Sequence, residues 1–340
     1  MACDTTVYAR AGLVGNPSDG YYGKTISFTV RNFCARVSLY ESTDLEIIPS
    51  LRDRSRYDSI EELVEDVKAY GYYGGIRLMK AAIRKFADYC QERGIQLPRQ
   101  NFSMRYRSSI PRHVGLAGSS ALVIGALKCL MEFYDVAIPK PLLPTLALEV
   151  EAMELGIAAG LQDRVIQVYE NCVYMDFDRE YMEAHGHGKY EEMDPALLPN
   201  LFLGYRTDFS ESSEVFHNPI RERWLRGDPE VVQAMKEFAH YAEQVRNLLL
   251  AGRGHEIGPW LNRNFDLRRS LFRLNPADIE MVERARATGA YCKFAGSGGA
   301  IVGMYEDEGM YQRLLRTFEG TSVVLFKPEI TEPSPTAQPS

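Results

Sequence analysis

The stretch LEVEAMELGIAAGLQDRVIQ, from Leu148 to Gln167, holds the acidic groups best equipped for chemistry. Glu149, Glu151 and Glu154 fall on one helical pattern. A run of small residues follows, and then Asp163 stands among Leu161, Val165, Ile166 and Val168. On a helix, acids are ordinarily solvated charges. Among apolar neighbours a carboxylate is costly unless it has a partner, and Arg164 is a candidate for that structural role. A metal ligand and a group that orients or deprotonates a nucleophile are what phosphoryl transfer requires, and a Glu and an Asp on either side of a Gly-containing turn can supply both.

A second stretch offers a place for the phosphates. PRHVGLAGSSALVIGALKCLMEF puts Gly115, Gly118, Ser119, Ser120 and Ala121 at the start of an apolar helix. A helix start carries unpaired N–H groups and a partial positive charge, and an anion reaches them only where side chains are small. The serine hydroxyls add hard oxygen ligands suited to Mg2+. A lone G-S-S-A is ordinarily a helix cap, so the stretch gains meaning from its neighbours. One of these is KFAGSGGAIVG, where Gly296, Ser297, Gly298 and Gly299 let the backbone approach a ligand or another chain segment. GYYGKT, from Gly20 to Thr25, imitates the end of a P-loop. Its first glycine position is Ser18, and the alternating ISFTV that follows reads as strand rather than helix, so a P-loop NTPase is rejected.

The elements that must position these groups follow from periodicity. Strands are expected at Thr5–Leu13, at Lys24–Val30 and at Ala35–Tyr40, with RNFC as a turn between the last two. Thr25, Ser27 and Thr29 form the polar face of the second strand. Helices are expected at Ile60–Tyr70, Gly75–Arg93, Ala121–Phe133 and Leu142–Leu155, and further strands at Phe102–Tyr106 and Asn171–Phe177. Beyond Leu201–Tyr205 the pattern turns to long helices at Glu230–Leu250, Trp260–Phe272 and Ile279–Thr288, then a helix between strands AIVGMY and SVVLF. This order implies an α+β fold in two lobes. The expected division is residues 1–195, residues 196–330 and a polar, Pro-rich disordered tail at 331–340.

Composition narrows the class. A chain of 340 residues with a formal charge of −7 has the size for two lobes and lacks the basic balance of a nucleic-acid binder. The six cysteines are scattered without a C-x-x-C pair, which reads as reduced thiols in a cytoplasmic protein. The N-terminus shows no apolar signal region, and no run is long enough to span a membrane.

Taken together and in this order, the stretches resemble the GHMP kinase superfamily over nearly the whole chain. PRHVGLAGSSA is similar to its P-x-x-x-G-L-x-S-S-A phosphate loop with one extra Gly, KFAGSGGAIVG to its C-terminal glycine motif, and ARAGLVGNPSD to its N-terminal motif. The last departs from galactokinases, which carry G-E-H-x-D where this chain has Gly15, Asn16, Pro17, Ser18 and Asp19. GNPSDGYYGKTISFTV, GYYGGIRL and GLQDRVIQVY resemble the glucuronokinases most closely.

The resemblance implies an N-terminal lobe like ribosomal protein S5 domain 2, a ferredoxin-like C-terminal lobe, and a site between them. It implies ATP and Mg2+ as cofactors, a uronic acid as the other partner, and phosphorylation of D-glucuronate at its anomeric hydroxyl. Another sugar kinase, for galacturonate or a heptose phosphate, and an inactive binding protein of the same fold are the alternatives. By motif, Gly115, Leu116, Ala117, Gly118, Ser119, Ser120, Gly296, Ser297 and Gly298 would wrap the phosphates. Ser120 and Glu151 would hold Mg2+, with Glu149 and Glu154 as substitutes for the latter. Asp163 would orient or deprotonate the hydroxyl beside Arg10. Asn16, Asp19, Tyr72 and Tyr73 would line the sugar pocket. The uronate carboxylate calls for a cation, for which Arg10, Arg112, Arg164 and Lys293 are the candidates.

Overall fold

The structure is a computed structural model that describes residues 2–50, 53, 74–208 and 220–331. Tyr72, Tyr73, the helix expected at Ile60–Tyr70 and nearly all of the C-terminal tail lie outside the described residues.

The first lobe is built on a mixed sheet. Strands β1 (Ala2–Val14) and β2 (Lys24–Ser42) form a long antiparallel pair, and β2 also carries β5 (Cys172–Asp176) along its first part and β4 (Asn101–Ser108) along its second. The short β3 (Glu46–Ile48) runs parallel to β4, and β6 (Lys189–Met193) closes the other end against β5. Helix α1 (Gly75–Glu92) repeats apolar residues at Leu78, Met79, Ala82, Phe86 and Cys90. That stripe packs on α2 (Gly118–Tyr134), which is apolar on most sides and lies on β1 and β2. Helix α3 (Leu143–Glu149) runs into a π-helical turn at Val150–Glu154, and α4 (Gln162–Tyr169) and α5 (Arg179–His185) follow.

The second lobe opens with β7 (Leu201–Arg206) and α6 (Ile220–Leu225). Helix α7 (Pro229–Leu250) starts at Asp228, whose carboxylate accepts from the N–H groups of Glu230 and Val231, with Pro229 at the first helical position. Then come α8 (Gly258–Leu271), α9 (Pro276–Arg286), β8 (Tyr291–Phe294), β9 (Ala300–Met304), α10 (Glu308–Phe318) and β10 (Val323–Phe326). The four strands pair antiparallel in the order β10-β7-β9-β8, which is the 4-1-3-2 order of a ferredoxin-like sheet when counted from β7.

One expectation fails for an identifiable reason. RNFC is not a turn. β2 runs straight through it, while the pairing on β1 jumps from Ala9–Val30 to Tyr8–Cys34 and leaves Arg31, Asn32 and Phe33 as a bulge. The extra residues have partners elsewhere: the Arg31 guanidinium pairs with Glu170 and lies over the Tyr8 ring, and Phe33 meets Tyr205 and Phe326 edge-on. The face of β2 that carries Thr25, Ser27 and Thr29 is buried. It is shielded because α2 and α7 both pack against the strand.

Candidate active site

A cleft of about 1180 Å3 opens between the start of α2, the turn before α4, the loop after β1 and the loop between β8 and β9. Each wall is shaped by local sequence. The loop after β1 tightens into a 3-10 turn at Ser18–Tyr21. The Ser18 hydroxyl pins it by donating to the Lys24 carbonyl and accepting from the Lys24 N–H, at 3.0 and 3.1 Å. Gly15, at φ +91°, sits where a Cβ would lie 2.2 Å from the Lys24 carbonyl, so the loop closes only with glycine there.

At the start of α2, Ala117 is left-handed (φ 65°) and no side chain caps the helix. Ser119 and Ser120 are therefore not N-caps. The Ser119 hydroxyl donates to Glu151 Oε1 at 2.7 Å and lines the cleft, whereas Ser120 is fully buried and donates to the Ala117 carbonyl. The placement expected of Ser120 is thus taken by Ser119, because the left-handed Ala117 turns the second serine into the core. Gly115, Leu116, Ala117 and Gly118 line the cleft with it.

The three glutamates separate clearly. Glu149 pairs with Lys85 at 2.7 Å and Glu154 with Arg84 at 3.1 Å, so both face α1. Glu151 is fully buried at the cleft, between Ser119 and the Arg164 guanidinium. Asp163, at the first turn of α4, receives Arg10 Nε at 2.6 Å and has Arg164 3.7 Å away. Burial alone would raise its pKa, but Arg10 and then Arg164 outweigh it and hold the carboxyl below its ordinary value. Asp19 responds in the opposite sense. Burial first, and the Asp163 charge second, push it up to about 6, although the Gln162 N–H donates to it at 3.3 Å.

Arg10 ties the walls together. Its Nη1 donates to the carbonyls of Gly115 (2.5 Å) and Ala295 (3.1 Å), which belong to different lobes. Gly115 and Gly296 touch backbone to backbone there: a Cβ on Gly296 would lie 2.1 Å from the Gly115 carbonyl. Gly296 and Ser297 line the cleft, while Gly298 faces the Asp278 carboxylate instead.

The sugar-side candidates divide. Asn16 and Asp19 line the cleft, and Arg112 lines it with one donor on Asp53 at 3.2 Å. Lys293 does not reach it. The lysine is buried and donates to the Gly12 carbonyl at 2.7 Å and to Asn16 Oδ1 at 2.5 Å, so it acts on the cleft only through Asn16. Arg268, which sequence reasoning missed, lines the cleft from α8 and holds the carbonyls of Gly296 (2.7 Å) and Ser297 (3.2 Å). Its signal was two polar residues four apart, Asn264 and Arg268, on the buried stripe of Leu261 and Phe265. Among the described residues no group of three or more His, Cys, Asp or Glu could hold a metal by itself, no helix is long and apolar enough to cross a membrane, and the six cysteines are free thiols.

Comparison with known proteins identifies the family. The family model described as GHMP kinases N terminal domain matches residues 77–171. Glucuronokinase 1 of Arabidopsis thaliana is 47% identical over 301 residues, covering 87% of this chain and 83% of the relative. Probable glucuronokinase 2 of the same plant is 48% identical over 302 residues, with 87% and 82% covered. Among solved structures, Lactococcus lactis galactokinase superposes with a TM-score of 0.78 at 14% identity, over 97% of this chain and 93% of its own. With a matched family domain and near-half identity over most of two such relatives, the chain belongs to the glucuronokinases of the GHMP kinase family.

Proposed function

We propose that the protein transfers the terminal phosphoryl group of ATP to the anomeric hydroxyl of D-glucuronate, giving D-glucuronate 1-phosphate and ADP. The observation that carries the reading is the Arg10–Asp163 pair, set between the uncapped start of α2 and the loop that holds Asn16 and Asp19. Kinship with the two Arabidopsis glucuronokinases supports the choice of acceptor.

The triphosphate is assigned to the N–H groups at Gly115–Ser119, where small residues leave room and nothing else caps the helix. The residues present fit Mg2+: the Ser119 hydroxyl and Glu151 carboxylate are hard oxygens side by side, and phosphate oxygens and waters complete such a shell. When bound, Mg2+ would neutralise charge on the phosphates.

Asp163 then receives the hydroxyl. Depressed by Arg10 and Arg164, it is ionised at neutral pH and ready to accept a hydrogen bond. A carboxylate that weak as a base takes the proton late, once the forming P–O bond has made the hydroxyl acidic. That timing suits a loose transition state, in which positioning and charge supply most of the catalysis. The anomeric oxygen forms the bond to phosphorus, the bond to the ADP oxygen breaks, and the proton passes to Asp163. Arg10 holds Asp163 and the Gly115 carbonyl together, so the acceptor and the phosphate loop keep one spacing. Asn16 and Asp19 would hold sugar hydroxyls.

The test is ADP release from Mg-ATP with D-glucuronate, D-galacturonate, D-galactose, D-glucose and a heptose 7-phosphate in parallel. Turnover with glucuronate well above the others is expected. Preference for another sugar would overturn the acceptor and keep the kinase; no turnover with any would overturn the kinase.

A further inference from the structure

Five arginines line the cleft among the described residues: Arg10, Arg112, Arg164, Arg221 and Arg268. Three of them have a carboxylate within ion-pair distance. Arg10 has Asp163, Arg164 has Glu151 and Arg112 has Asp53. Arg221 is exposed, donates to the Gly20 carbonyl, and lies over the rings of Tyr21 and Trp224.

Arg268 differs from all of these. It is 7% exposed, and its guanidinium makes no ion pair among the described residues. Nη1 and Nη2 each spend one N–H on a carbonyl, of Gly296 and of Ser297, and each keeps a second; Nε has no partner. The rings of Phe272 and Phe294 flank it. A buried cation with no carboxylate in contact is costly: burial lowers its pKa to about 10, with Asp19 and Asp278 opposing that shift from beyond ion-pair distance, and the group stays charged at neutral pH. An anion entering the cleft would relieve that cost.

Position decides which anion. Asn264, one turn earlier on the same face of α8, donates to the Asn16 carbonyl and accepts from the Gly15 N–H. α8 therefore braces the loop that carries Asn16 and Asp19, and Arg268 stands at the acceptor end of the cleft. The phosphate end already has the start of α2 and Arg10.

We propose that Arg268 receives the carboxylate of the uronic acid, and so selects uronates over neutral hexoses. The inference rests on the glucuronokinase reading. It assigns to Arg268 the cation that the sequence places at Arg10, Arg112, Arg164 or Lys293. Arg10, Arg112 and Arg164 already hold a carboxylate and Lys293 does not reach the cleft, whereas Arg268 binds only carbonyls and keeps further N–H donors for a planar carboxylate.

The test uses the full chain and thermal melting, with D-glucuronate and the non-hydrolysable nucleotide AMPPNP with Mg2+ added separately. In Arg268→Gln the shift produced by glucuronate should vanish while the nucleotide shift stays. Steady-state kcat/KM for glucuronate should fall about 100-fold, as for loss of a buried charge partner, with KM for ATP within about threefold. Arg268→Lys keeps the charge and serves if the Gln variant does not fold. Its KM for glucuronate should rise about tenfold, again with KM for ATP little changed. Loss of both shifts, or equal rises in both KM values, would mean that Arg268 serves the phosphates or only the Gly296–Ser297 loop, and overturns the proposal. A full glucuronate shift in the variant overturns it too. If the wild-type protein itself gives no glucuronate shift and no glucuronate-dependent ADP, the acceptor reading falls and takes this proposal with it.

Discussion

Gly296→Ala tests whether the two glycine loops meet during turnover. The added Cβ would lie 2.1 Å from the Gly115 carbonyl oxygen, 3.0 Å from its carbon and 2.9 Å from Arg10 Nη1. Ordinary contact begins near 3.4 Å, so the loops must part by about 1.3 Å. Neither side is a flexible side-chain end that can swing away: the obstacle is backbone, held by Arg10 at 2.5 Å. Arg10 also holds Asp163, so the displacement is passed to the group that positions the acceptor. A misplacement of about 1 Å costs on the order of 100-fold in rate, or about 2.7 kcal/mol of barrier. Overpacking of this kind costs about 1–3 kcal/mol of stability, which lowers Tm by several degrees. Steady-state ADP release with both substrates varied should show kcat down about 100-fold, and melting should show the lower Tm. A Gly296→Ala protein with kcat within about twofold of the parent and an unchanged Tm would refute the contact, and with it the claim that Arg10 couples the lobes.

Three further outcomes are expected. Asp163→Asn should lower kcat by about 100- to 10,000-fold while nucleotide binding, read by the AMPPNP melting shift, stays normal; unchanged turnover would remove Asp163 from the chemistry. Ser119→Ala and Ser120→Ala should differ. The first should lower kcat and raise the Mg2+ concentration needed for half-maximal rate, and the second should lower only Tm; matching kinetic losses would contradict their separate placement. For Asp19 the folded pKa of about 6 exceeds the ordinary 3.8, so the native state holds that proton more tightly and the contribution of Asp19 to stability falls as pH rises from about 4 to about 6. Asp19→Asn should therefore raise Tm at pH 7 and leave it nearly unchanged at pH 4; a Tm gain equal at both pH values would contradict the raised pKa.

What was legible in the sequence had a short physical range. Gly115–Ser119 announces an open helix start because only small residues permit one. Asp163 draws notice because its apolar neighbours make a charge conspicuous. Spacing to Asp163 already favours Glu151, but what keeps Glu149 and Glu154 out of the cleft was not legible: Lys85 and Arg84, on a helix more than sixty residues earlier, pair with them. The exchange of Ser120 for Ser119 turned on one left-handed residue, Ala117, that no propensity marks. Lys293 read as a free cation because burial by distant strands leaves no trace in KFAG. RNFC read as a turn because the polar Arg-Asn pair breaks the alternation, and its partners Glu170, Tyr205 and Phe326 lie far along the chain.

That bulge bears on how the protein is made. The Glu329 carbonyl accepts from the Arg31 N–H at 2.7 Å, the Asn32 side chain bonds the Lys327 carbonyl and the Glu329 N–H, and Phe326 covers Phe33. Residues near 30 are thus finished by residues near 330. During synthesis from the N-terminus, the first sheet waits with Phe33 uncovered and the Asn32 amide unmet while nearly three hundred further residues are added. Contacts of such long sequence separation form late, so this corner of the first sheet is completed only when β10 and the residues just after it have been made.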